Sequence, residues 1–311
     1  MIRQLSKASA GFGAVLFGLI VVSTSAAADT DACGQQIERF SAFVQERSLG
    51  GAIATGEPIV ASNVCPAETR NDVARRLALL HLAESTKLSE TPATNAEKLR
   101  LLLAGARYAK PWQLMAALGD LRRVVMTADG EADHQAASQA YQDALLDIND
   151  RRAVPSPPAS DVISRLVRLA QQSRLLTKDF VSAPGTLTRD VRGVTVEAVP
   201  VPIQLARDSS EMTTQGQAYA EELWKALVAQ GSPAIELIGH TDPDGAAGHN
   251  DALSVRRAGA VRNYMVRRGY KPAIIELSGK GSRDPLRIID ERQYTQAQLY
   301  KMYRRVEVRF R

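Results

Sequence analysis

Apolar residues recur at helical spacing through the first half of the chain and at a shorter spacing in its last third. Ile37, Phe40, Phe43 and Val44, then Val73, Leu77 and Leu80, then Leu99, Leu102 and Leu103, then Leu114, Leu118, Leu121 and Val125, and finally Tyr141, Leu145 and Ile148 each trace one face of a helix. Turn chemistry separates these runs: Pro66 opens the second helix, Thr94 caps the third, Pro111 starts the fourth, and Asp129-Gly130 parts the fourth from the fifth. Residues 29–150 are therefore expected to form an all-α domain of five antiparallel helices, each about 12 to 20 residues long, arranged as a bundle or as a stack of helical hairpins. Pro155, Pro157 and Pro158 then mark a linker. Val162, Ile163, Leu166, Leu169 and Leu176 predict an amphipathic spacer helix over 161–179 with a basic polar face, so that linker and spacer together take 151–185.

After Pro184-Gly185 the period changes. Val194, Val196 and the run 199–205 read as strand, with Pro200 and Pro202 restricting it to an edge or a strand entry. A helix is expected over 213–229, a strand over 234–239, a helix over 250–268, and strands over 274–278 and 305–310, the last alternating Val306, Val308 and Phe310. Alternating strands and helices predict an α/β sandwich over 186–311, helices packed on one sheet, and the chain as a whole is α+β.

Length agrees with two domains: 311 residues at about 150 per domain, with 45% apolar residues to supply two cores. The formal charge of +5 raises the question of an anionic partner but is too mild to point to nucleic acid. Beyond residue 28 no apolar run is long enough to span a bilayer, which excludes a polytopic membrane protein. Two cysteines and four histidines, none at ligand spacing, give no metal site, and no cofactor motif is present. Gly279-Lys280-Gly281-Ser282 lacks P-loop spacing and reads as a turn.

The first 28 residues have the order of a secretory signal. Arg3 and Lys7 precede an apolar core, and Ala26-Ala27-Ala28 supplies a small-residue cleavage site, with no acidic residue before Asp29. The alternative is an uncleaved anchor helix. Cleavage after Ala28 removes two positive charges and leaves no spanning helix in the mature chain. Export would place Cys33 and Cys65 in an oxidising compartment, where a bridge between them is the economical reading and two independent buried thiols the other.

Candidate chemistry gathers in 238–258. The expected strand delivers His240-Thr241-Asp242 into a Pro243-Asp244-Gly245 turn ahead of a helix, a place where α/β folds tend to hold ligands. On that helix Arg257 falls inside the apolar stripe of Leu253, Val261, Tyr264 and Met265, while Arg256 lies to one side. A guanidinium facing a core must be paired, and the candidate in the preceding loop is Asp242. Two outcomes are open: a closed Asp242 to Arg257 ion pair that staples loop to helix, or a zwitterionic ligand whose ammonium sits on Asp242 and whose carboxylate meets the planar fork of Arg257. His240 and His249 flank Asp242, yet no placed nucleophile or metal accompanies them, so hydrolysis is not supported. His81 and His134 read as core or solvated helix residues.

Ile238-Gly239-His240-Thr241-Asp242, Gly245 and the run from Asn250 through Leu253-Ser254 and Arg256-Arg257 to Ala258 and Val261 resemble the central motif of the OmpA-like peptidoglycan-binding domain family. Gly279-Lys280-Gly281 with Pro285, and Arg304-Arg305-Val306-Glu307, follow its later motifs in order. The resemblance covers about 199–311 and says nothing of the helical domain. It implies a mixed sheet with helices packed on it and a non-catalytic anchor that grips the diaminopimelate of a peptidoglycan stem peptide in a Gram-negative envelope, in the periplasm and associated with the outer membrane. Carried over by residue, Asp242 and Arg257 are the ligand pair, Thr241, Asn250, Leu253 and Ser254 shape the pocket, and Arg304 lies near it. The sequence departs from the family at Tyr303, where Asn or Asp is usual, and at Gln204-Leu205-Ala206-Arg207, where the first strand is usually aromatic. The helical domain is left to engage a protein partner. A structural protein that uses the same fold for protein contact, with the ion pair closed, is the alternative.

Overall fold

A computed structural model describes residues 29–127, 130–178, 190–203, 209 and 211–311. The export signal at 1–28, Asp129, Pro184-Gly185 and the departure at 204–207 lie outside the described residues. The chain forms two compact units that divide between Leu114 and Met115.

In the first unit, helices α1 (Asp29–Gln45), α2 (Leu49–Val60), α3 (Ala67–Thr86) and α4 (Pro92–Ala106) pack each against the next, as a stack of helical hairpins. Helix α5 (Trp112–Arg122) begins at its end. Six helices, α1 to α6, occupy the stretch where five were expected, because α2 was not legible from its apolar spacing: it holds Gly50, Gly51, Gly56 and Pro58. Ser48 caps it, its side chain accepting from the Gly51 N–H, and the glycines make room for rings. A Cβ on Gly51 would lie 2.2 Å from the Phe43 ring, and one on Gly56 2.9 Å from Phe40. Close packing against aromatic rings outweighs poor helix propensity here. Phe40, Val44, Ala52, Ile59, Val73, Leu77 and Leu80 form the core, joined by the Cys33 to Cys65 disulfide. Cross-linking residues 32 apart stabilises such a unit by about 3 to 4 kcal/mol in the chain-entropy account. The cap of α4 is Thr91 rather than Thr94. The two threonines answer each other as a capping box.

The second unit carries α6 (His134–Asn149), α7 (Ser160–Leu176), the short hairpin β1 (Asp190–Val191) and β2 (Val194–Thr195), then β3 (Ala198–Val201), α8 (Thr214–Ala229), β4 (Ile235–His240), α9 (Ala247–Arg267), β5 (Ile275–Gly281), α10 (Gln296–Tyr303) and β6 (Val306–Phe310). Strand order is β3-β6-β4-β5. β6 runs antiparallel to both β3 and β4, and β4 pairs parallel with β5 through the α9 crossover. Pro200 sits on the edge strand, as its missing N–H requires. Val199, Val201, Ile235, Leu237, Val306 and Val308 meet Leu223, Leu227, Val261 and Met265 in one core.

The proline segment is not a tether between domains. Residues 151–159 join α6 to α7, two helices packed on each other within the second unit. Val154 is buried, and Arg192 donates to the carbonyls of Ile148, Val154 and Pro155 at 3.1 to 3.2 Å. Helix α7 packs on α6 and β3 rather than standing apart as a spacer, and one of its arginines leaves the basic polar face. Arg174 turns inward, 1% exposed, pairs with Glu222 of α8 and lies over the Tyr219 ring. The unforeseen α10 covers a smaller core of Leu175, Leu176, Tyr294 and Met302. No helix among the described residues is long and apolar enough to cross a membrane.

Candidate ligand-binding site

The site is built where α9 presses on the ends of β4 and β5. Close approach explains two glycines: a Cβ on Gly239 would stand 1.9 Å from the Ser254 carbonyl oxygen, and one on Gly279 2.4 Å from Ser254 Oγ. Ser254, fully buried, ties the layers together by donating to the Asp251 carbonyl at 2.7 Å and accepting from the Gly281 N–H at 3.0 Å. Thr241 extends β4 by donating its N–H to the Gly281 carbonyl at 2.9 Å, and its hydroxyl is buried at the strand end. Leu253 drops into the helix's buried face.

The loop after Thr241 is shaped by Asn250. Its side-chain amide donates to the carbonyls of Asp242 and Asp244 at 3.3 and 2.9 Å, and Gly245 takes the positive φ of 93° that the turn needs. Asp242 is thereby held with its carboxylate at the rim, accepting from the Asp244 N–H at 3.3 Å. Arg257 occupies the position expected on the stripe, buried between Leu253 and Val261, whereas Arg256 is exposed.

Asp242 has an ion-pair partner outside the loop-to-helix pair considered in the sequence. Asp242 Oδ2 pairs with Arg304 Nη1 at 2.5 Å, and Arg257 Nη1 donates to the His240 carbonyl at 3.5 Å. The reason is topological: β6 lies beside β4, so the residues entering β6 arrive next to the loop leaving β4. Sequence spacing reveals a loop-to-helix pair 15 positions apart more readily than one 62 positions apart.

Beneath the rim lies a second charged group that sequence reasoning did not assign. His240 is fully buried, its Nε2 3.6 Å from Glu307 Oε2, and Glu307 is also held by Arg305 at 2.6 Å. Burial pushes the Glu307 carboxyl up, but His240 and Arg305 outweigh it and hold it down at about 2. The available signal was an acid inside a strand whose neighbours Val306 and Val308 are buried. Among the described residues no group of three or more His, Cys, Asp or Glu converges as metal ligands. The site therefore offers a rim carboxylate, a buried guanidinium and an exposed guanidinium, a set that suits a ligand with both an ammonium and a carboxylate.

Comparison with known proteins matches this region. Residues 205–296 match the OmpA family. A peptidoglycan-associated lipoprotein of Pseudomonas putida is 36% identical over 102 residues, covering 33% of this chain and 58% of that protein. Outer membrane protein A of Bordetella avium is 34% identical over 84 residues, 25% of this chain and 41% of that protein. The chain thus spans about half the length of these curated relatives. Among solved structures, the peptidoglycan-associated lipoprotein from Burkholderia pseudomallei aligns at 23% identity over 37% of this chain and 91% of that chain, with a TM-score of 0.31. The C-terminal domain of Helicobacter pylori MotB does so at 23% over 36% and 83%, with a TM-score of 0.30. The matched span holds Asp242, Asn250, Ser254 and Arg257, and Arg304 follows it. Residues 205–296 of this chain are an OmpA family domain.

Proposed function

We propose that this is an exported envelope protein whose C-terminal domain binds peptidoglycan non-covalently through the diaminopimelate of the stem peptide. Asp242 receives the ligand's ammonium and Arg257 its carboxylate, Thr241, Asn250, Leu253 and Ser254 fix the loop and helix that present them, and no bond is broken. The observation that carries this reading is that a rim carboxylate at the end of β4 and a guanidinium buried on the apolar face of α9, which donates to the His240 carbonyl two residues before that carboxylate, serve one loop. Its support comes also from relatives named for association with peptidoglycan and from the export signal read in the sequence. We place the protein in the periplasm, at the outer membrane, with the helical first unit free to engage a protein partner.

Incubation of the chain from residue 29 with purified sacculi tests this. The wild type should sediment with them, and Asp242→Ala combined with Arg257→Ala should leave it in the supernatant while circular dichroism reports an intact fold. Undiminished sedimentation of that variant would refute the reading. A wild type that stays in the supernatant would favour instead a scaffold that uses the fold for protein contact, a reading that draws on the ion pair Asp242 already makes with Arg304.

A further inference from the structure

Arg304 occupies the carboxylate that the proposed ligand needs. Its Nη1 lies 2.5 Å from Asp242 Oδ2, and the arginine side chain is 43% exposed while Asp242 retains 14%. The arginine's backbone is anchored: its N–H donates to the Tyr300 carbonyl at the end of α10. That helix is itself fastened from below. Lys301 Nζ donates to the carbonyls of Leu176 and Thr177 at 3.2 and 3.0 Å, Met302 is fully buried, and Tyr294, just before the helix, accepts from the Arg123 guanidinium at 2.8 Å. A long, exposed side chain on a fixed backbone can leave Asp242 and return without disturbing the fold. Arg257 cannot do so, being buried along the helix.

We propose that Arg304 is a displaceable counter-ion that makes the site select zwitterionic ligands over simple amines. This rests on the diaminopimelate reading above. An ammonium that takes over Asp242 releases the guanidinium of Arg304. A ligand carrying a carboxylate beside that ammonium offers the released guanidinium a new partner, in bidentate geometry if it can be reached. A bare diamine offers none, so the lost Asp242 to Arg304 pair counts fully against it. A half-exposed pair of this kind weights affinity by about fivefold.

Calorimetric titration of the whole chain with meso-diaminopimelate and with 1,5-diaminopentane, the same skeleton without its carboxylates, tests this. Wild type should prefer diaminopimelate. In Arg304→Gln the diamine should bind about fivefold more tightly and the preference should narrow by the same factor, whereas Arg304→Lys should keep most of it. An unchanged or wider preference in Arg304→Gln, with an unchanged unfolding midpoint, would overturn the counter-ion role while leaving the parent reading standing. The control separates the two. Asp242→Ala should weaken both ligands, and wild-type diaminopimelate affinity in that variant would overturn the parent reading and this one together.

Discussion

Two acid and arginine pairs in the second unit differ in where they sit. Arg174 and Glu222 join α7 to α8 with 1% and 9% of their side chains exposed, and Arg174 also lies over Tyr219. Asp242 and Arg304 meet at the rim with 14% and 43% exposed. The chemistry is the same and the consequences are opposite. Neither member of the interior pair can part from the other without stranding a charge away from water, so that pair acts as a fastening. The rim pair can exchange an ion for water, salt or a ligand at small cost. Burial, rather than the identity of the residues, separates a structural ion pair from an exchangeable one.

The strongest way to break this contrast is to remove one interior partner. Glu222→Gln should cost about 3 to 5 kcal/mol in chemical denaturation. The double replacement Arg174→Met with Glu222→Leu should recover most of that loss, since a well-packed apolar pair substitutes for a buried ionic one. If the single variant lost less than about 1 kcal/mol, Arg174 and Glu222 would belong with the rim pair.

Next in size is a pH effect on the same supporting side. His134 is buried near Tyr294 and Gln298, and burial, with Arg123 and Lys301 adding to it, holds its imidazole down at about 4. The unfolded chain takes up that proton near pH 6.5 and the folded chain does not, so stability present above that pH is lost as pH falls towards 4. The loss is on the order of 3 kcal/mol. His134→Gln should flatten the denaturation midpoint over this window, and a slope equal to that of the wild type would remove His134 from the account.

The smallest stability effect belongs to the rim. Asp242→Asn should change unfolding free energy by no more than about 1 kcal/mol while sacculus binding falls away. A loss as large as that of Glu222→Gln would make Asp242 a fastening after all.

What the sequence revealed follows the range of its signals. Periodicity located β4, α9 and β6 to within a few residues and put Arg257 on the buried stripe, because both are local properties of one element. The same test applied to α7 would have found Arg174, since Ile163, Leu166, Ala170 and Arg174 follow at spacings of three, four and four along its buried face. Helix α2 stayed hidden because its glycines are chosen for contacts with Phe40 and Phe43 rather than for helix propensity. The partner of Asp242 and the integration of the proline segment depend on which strands and helices become neighbours in space, and no spacing along the chain encodes that directly. A proline run joining two packed helices and one joining two domains have the same composition.

The most direct measurement is a crystal of the whole chain soaked with a diaminopimelate-containing peptide. The account predicts density with an ammonium on Asp242, a carboxylate reaching Arg257, and the Arg304 guanidinium moved off Asp242. An empty site with Arg304 still on Asp242, at a peptide concentration that saturates binding in solution, would contradict it.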